Sequence, residues 1–121
     1  MPHLHVEYSD NLQLEVAPVL MALNQALFDT GLVGSAQDIK SRAVRQSDYL
    51  IGLSSDSQQA YVHVKLSILT GRSIEIQQQM SEILLHALQA SVTVQAGMSV
   101  QMCVEVLEMQ KALYSKTVIS A

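Results

Sequence analysis

The chain is 121 residues long, 49% hydrophobic and 15% charged, with five glycines and two prolines. That length predicts a single domain over residues 1–121, and the composition excludes disordered, collagen-like and low-complexity classes. Seven Lys+Arg against eleven Asp+Glu give a net charge of −4, so the basic footprint of non-specific nucleic-acid binding is missing.

No apolar run approaches the roughly 18 residues that a membrane helix needs. The start, Met1-Pro2-His3-Leu4-His5-Val6-Glu7, lacks the basic and apolar regions of a secretory signal. Neither nucleic acid nor membrane is therefore expected as a partner. The single cysteine, Cys103, has no mate for an internal disulfide, which fits a reducing cytoplasm. Near-half apolar content in so short a chain is more easily accommodated in an oligomer, because small domains leave much of their surface uncovered.

Taken in chain order, His3 to Tyr8 alternates polar and apolar residues, the pattern of a strand with one face on a core. Ser9-Asp10-Asn11 supplies turn and capping chemistry. Apolar residues then recur at helical spacing (Val16, Leu20, Leu23, Leu27) within Leu12–Thr30, with regular helix expected from near Pro18 and a stop at Gly31. Asp38 to Arg45 is a weaker strand candidate, followed by a turn-rich stretch with Gly52 and Ser54-Ser55-Asp56-Ser57. Ala60 to Leu69 alternates again, Val62, Val64, Leu66 and Ile68 against His63, Lys65 and Ser67. Thr70-Gly71-Arg72-Ser73 forms a joint before a second helix, expected over Ser73–Gln95 with a stripe of Ile76, Met80, Ile83, Leu84 and Ala87. After Gly97, Ser99 to Glu108 alternates once more, and the tail from Lys111 to Ala121 is short enough to pair with a neighbouring chain.

The order strand–helix–strand occurs twice. A duplicated βαβ unit predicts an α+β fold: a four-stranded mixed sheet with two helices on one face. The other face then carries His3, His5, Glu7, His63, Lys65, Gln101, Cys103 and Glu105. It is too polar for a dry core, and sheet-to-sheet packing in an oligomer accounts for it.

Chemistry centres on Pro2. Aminopeptidases remove an initiator Met that precedes a small residue, and removal leaves Pro2 with a free secondary amine. Apolar walls and nearby cations lower the pKa of such an amine, and a base poised near neutrality suits abstraction of a proton beside a carbonyl. With Met1 attached the nitrogen is an amide and cannot act as a base. Cations are few. Lys40 and Arg42 alternate onto one strand face, with Arg45 nearby. Arg72 stands at a helix amino end, where free N–H groups and a guanidinium together favour a carboxylate. His3, His5 and Glu7 are formally a two-His-one-carboxylate set, but alternate residues of one strand diverge, so no metal is expected and polar contacts at a subunit interface are. Cys103 reads as a small packed side chain. No phosphate loop, zinc spacing or nucleophile elbow occurs.

Several segments in register resemble one family over nearly the whole chain. They are Pro2-His3-Leu4-His5-Val6-Glu7-Tyr8-Ser9-Asp10-Asn11, Ile39-Lys40-Ser41-Arg42, Tyr61-Val62-His63-Val64-Lys65-Leu66, Gly71-Arg72-Ser73-Ile74-Glu75 with Gln78-Gln79, and Val104-Glu105-Val106. The pattern is similar to 5-carboxymethyl-2-hydroxymuconate isomerase, of the tautomerase superfamily. The resemblance implies a homotrimer with its sheets around a central axis and a cytoplasmic, cofactor-independent isomerase. It further implies Pro2 as acid/base and Lys40, Arg42 and Arg72 as ligands of a small-molecule carboxylate in homoprotocatechuate breakdown. The family shows Arg-Ser-Arg where this chain has Lys40-Ser41-Arg42, and Lys keeps the charge without the planar fork. Two alternatives keep the scaffold: a hydratase- or dehalogenase-like relative, and a non-catalytic trimeric binding protein.

Overall fold

The computed structural model describes residues 1–55 and 58–121. Four strands, β1 (His3–Ser9), β2 (Lys40–Gln46), β3 (Gln59–Leu69) and β4 (Ser99–Met109), and two helices, α1 (Val16–Asp29) and α2 (Ile74–Ser91), form an α+β fold. The sheet order is β2-β1-β3-β4. β1 runs parallel to β2 and β3 parallel to β4, while the central β1–β3 pair is antiparallel. Each half is thus a strand–helix–strand unit, and the duplicated βαβ arrangement with a mixed sheet is realised.

The duplication extends to the hydrogen bonds at the strand ends. Lys40 N–H donates to the Pro2 carbonyl at 3.1 Å, and Ser99 N–H donates to the Gln58 carbonyl at 2.9 Å. At the other end Asp10 N–H donates to Gln46 O and Thr70 N–H to Met109 O, both at 3.0 Å. Pro2 and Gln58 therefore occupy matching positions, one residue ahead of β1 and β3.

Side chains alternate across a strand, and burial follows that parity. Leu4, Val6 and Tyr8 of β1 and Ala60, Val62, Val64, Leu66 and Ile68 of β3 are buried under the helices. The helices answer with i, i+4 stripes: Val19, Leu23 and Leu27 on α1, and Met80, Leu84 and Leu88 on α2. Leu23 and Leu27 on α1 and Met80 and Leu84 on α2 stand in the core as their spacing predicts, and Leu20, Ile76 and Ala87 pack against it from partly buried positions. Val16 and Ile83 are exposed, and Val19 and Leu88 take core positions.

Element ends also moved for local reasons. α1 begins at Val16, two residues before Pro18, because the first-turn N–H groups have no intrahelical acceptor and a proline there forfeits nothing. β2 begins at Lys40, not Asp38. A 3-10 turn over Ala36–Asp38 precedes it, with Asp38 N–H donating to Ser35 O at 3.1 Å. α2 stops at Ser91, ahead of Val92-Thr93-Val94, whose β-branched side chains favour extended backbone. The turn expected around Ser54-Ser55 contains an isolated bridge between Ile51 and Ser54; its Asp56-Ser57 portion lies outside the described residues. The tail folds back on its own chain: after a 3-10 turn at Lys111–Leu113, Tyr114 reaches His3 and Lys116 reaches Asp38. Among the described residues no helix is long and apolar enough to cross a membrane.

Candidate active site

Because His3 faces the open side of the sheet, Pro2 shares the helix-side parity of Leu4, and it is buried. The antiparallel register places His3 opposite Ser67, so Pro2 lies at the carboxyl end of β3, where the chain turns through Thr70-Gly71 into α2. Gly71 makes that turn at φ +127°, a conformation open to glycine and strained for other residues. The turn delivers Arg72 to the same end of the sheet. A cavity of about 420 Å³ opens there, lined by Met1, Pro2, Leu32, Ile68, Arg72 and Met80 among others.

Arg72 is fixed from two sides. Its guanidinium donates to the Leu32 carbonyl at 2.6 Å, and its own carbonyl accepts from Gln77 Nε2 at 3.0 Å. Among the described residues it pairs with no carboxylate, so its charge is unneutralised at the cavity wall. Immediately after it, Ser73 caps α2 by accepting from Ile76 N–H at 3.2 Å. The helix amino end adds its positive pole to the same corner.

The amino terminus feels an electropositive, partly dry setting. Burial pushes the Met1 amine below its ordinary pKa; Asp38 opposes that shift, while Lys40, Lys116 and Arg72 add to it. Pro2 nitrogen is an amide here, since Met1 is attached.

Lys40 and Arg42 share one face, but it is the open face of the sheet, in register with His3 and His5. Arg42 therefore does not line the Pro2–Arg72 cavity. Its guanidinium donates to His3 Nδ1 at 2.9 Å and to His5 Nε2 at 3.4 Å. Lys40 stays close to the terminus through the bond from its N–H to Pro2 O. Its ammonium is disfavoured by burial first, then by Lys116 and Arg42.

The rest of the open face carries two further sets of polar contacts. Glu7 takes Lys65 at 3.6 Å and Gln46 Nε2 at 3.2 Å, Gln46 also accepts from the Tyr61 hydroxyl, and His63 Nε2 meets Glu105 at 2.5 Å. Glu7 is thus committed to Lys65 and Gln46, and Arg42 occupies nitrogens of both His3 and His5. The formal two-His-one-carboxylate set is dispersed into these pairs.

A duplicated βαβ sheet that buries a proline ahead of its first strand, beside an arginine at the β3–α2 joint, defines a protein of the tautomerase fold. The chain belongs to the 5-carboxymethyl-2-hydroxymuconate isomerase family, whose model matches residues 2–119. It is similar to the crystal structure of a 5-carboxymethyl-2-hydroxymuconate isomerase from Deinococcus radiodurans R1, with TM-score 0.87 and 30% identity over 96% of this chain and 88% of that one. A 5-carboxymethyl-2-hydroxymuconate delta-isomerase gives TM-score 0.73 and 20% identity over 98% and 88% of the two chains. A fused 4-OT symmetric trimer shares the fold at TM-score 0.62 and 18% identity, over 91% and 87%. No curated protein matches the sequence. As a member of this family the chain is an isomerase.

Proposed function

We propose that the chain, once Met1 is removed, is a cofactor-independent keto–enol tautomerase in which Pro2 moves the proton. The substrate class is an unsaturated hydroxy or oxo di- or tricarboxylate resembling 5-carboxymethyl-2-hydroxymuconate. One observation carries this reading: Pro2 and Arg72 line the same cavity.

The uncharged ring nitrogen takes the proton of the dienol hydroxyl. The O–H electron pair becomes the carbonyl π bond, the conjugated double bonds shift along the chain, and the distal carbon accepts the proton back from the ring nitrogen. Arg72 holds a substrate carboxylate through two parallel N–H donors and stabilises the charge that develops on the enolate, often the largest contribution to such catalysis. Lys40 contributes positive charge beside the terminus. Arg42 serves on the open face, which we assign to contact between subunits of a homotrimer. The reducing cytoplasm suits exposed Cys103.

The hydratase or dehalogenase alternative calls for a carboxylate on the cavity to activate water, and none of the residues lining it is acidic. The test uses protein whose intact mass verifies a Pro2 terminus, with ketonisation of 2-hydroxymuconate followed by ultraviolet absorbance. Pro2→Ala should lower the rate by roughly 10²- to 10⁴-fold, the usual worth of a positioned acid/base group. An unchanged rate in that variant overturns the assignment of Pro2, and an inactive wild type favours the non-catalytic alternative.

A further inference from the structure

The carboxyl-terminal segment crosses back to the end of the sheet that holds the amino terminus, and two polar contacts fasten it there. Tyr114 Oη meets His3 Nε2 at 3.0 Å. Lys116 Nζ meets Asp38 Oδ1 at 3.0 Å, both side chains being about two-thirds buried (30% and 32% exposed). The first contact has a defined polarity. Arg42 can only donate, so His3 Nδ1 accepts from it and the ring proton sits on Nε2, directed at the tyrosine oxygen.

Asp38 lies two residues ahead of Lys40, whose N–H holds Pro2 O. It is therefore the carboxylate placed beside the chain's start, and among the described residues its ion-pair partner is Lys116. Besides Lys116, the cations acting on the Asp38 carboxylate are the terminal amine and Lys40.

We propose that Lys116 is a positioning residue: by holding the Asp38 carboxylate it keeps that group from pairing with the nitrogen of Pro2, and Tyr114 pins the segment that carries the lysine. This inference rests on the reading of Pro2 as the proton carrier. Around the terminus stand His3 from β1, Asp38 and Lys40 at the entry to β2, Arg72 from the β3–α2 joint and Lys116 from the tail. Asp38 is the one anion among them. Freed of its lysine, it would stabilise the charged form of the proline nitrogen, which cannot accept a proton. The charges seen by the Met1 amine run the same way: Asp38 favours its ammonium form and Lys116 disfavours it.

The test is a pair of titrations on processed protein. The acid limb of kcat/KM with 2-hydroxymuconate is measured alongside the 15N chemical shift of Pro2, which reads the nitrogen without turnover. Lys116→Ala should move both midpoints upward by about half a pH unit, less than the ~1–3 units of a charge in direct contact because the site is partly exposed and screened. Lys116→Arg should restore them, and the upward shift should shrink by more than half when Asp38→Asn is already present. Tyr114→Phe should shift them in the same direction by less. Coincident midpoints for wild type and Lys116→Ala overturn the proposal. An inactive wild type whose Pro2 signal still shifts on Lys116→Ala would sink the tautomerase reading while leaving the lysine's role standing.

Discussion

His3 accepts from Arg42 at one nitrogen and meets Tyr114 at the other, an arrangement that suits a neutral ring. Burial first, then the charges of Lys40 and Arg42, lower its pKa; burial and then Arg42 do the same for His5. The folded state thus binds fewer protons than the unfolded one wherever pH lies between the depressed folded values and the ordinary 6.5, and stability rises with pH across that window. Thermal denaturation at stepped pH should show the midpoint falling as pH drops below that ordinary value, then levelling once the folded values are passed. His3→Gln combined with His5→Gln should flatten that slope. At the cavity, Arg72→Ala should reduce kcat/KM by roughly 10- to 100-fold, the worth of charge-assisted hydrogen bonds to one carboxylate, with Arg72→Lys retaining an intermediate value. Steady-state kinetics on one carboxylate substrate checks both. The positions of Pro2 and Arg72 were legible because each adjoins an element whose end the sequence marks. The face taken by Arg42 was not, because the alternation within β2 does not fix its register against β1, and that register sets Arg42 level with His5, on the face opposite to Pro2.

Among the elements, strands were read to within a residue or two wherever alternation was clean, as in β1 and β3. On the helices the spacing marks Leu23, Leu27, Met80 and Leu84 as core residues, and only the margins of each stripe fall differently. Apolar residues such as Val16 and Ile83 match the 3.6-residue spacing as well as Val19 and Leu88 do, and only the crossing of α1 and α2 over the sheet decides which are covered. The decision has measurable weight. Leu84 is fully buried, and Leu84→Ala should cost about 2–5 kcal/mol in urea unfolding, through lost transfer energy and a residual cavity. Ile83→Ala, on the neighbouring exposed position, should cost well under half of that. Ser73→Ala removes the cap of α2 and should cost about 1 kcal/mol by the same measurement. The tail was the element least legible from sequence. Its anchors, Tyr114 and Lys116, sit in no periodic pattern, and their partners lie 111 and 78 residues away in the chain.

At the scale of the whole molecule, the open face presents polar pairs spread over four strands, half-covered in a single chain. If three sheets meet there, a carboxylate introduced between Glu7 and Glu105 should drive them apart. Lys65→Glu is expected to convert the sedimenting species from trimer to monomer, and a wild type that sediments as a monomer would remove that assembly from consideration. The two halves match closely enough that Gln58 stands where Pro2 stands, yet Gln58 is internal to the chain and its nitrogen is committed to a peptide bond. Architecture is doubled, while the chemistry proposed for Pro2 has no counterpart at Gln58.

The return of the tail to His3 and Asp38 brings Tyr114 and Lys116 to the pole of the sheet that holds Pro2. A linker run from the segment after Lys116 to Pro2, with new ends opened in the connection between β2 and β3, should yield a circular permutant that folds around an unaltered core. In that permutant the Pro2 nitrogen would be permanently acylated, so on the proposed role of Pro2 it should fold and lose activity, giving a reference against which the worth of one free amine could be measured.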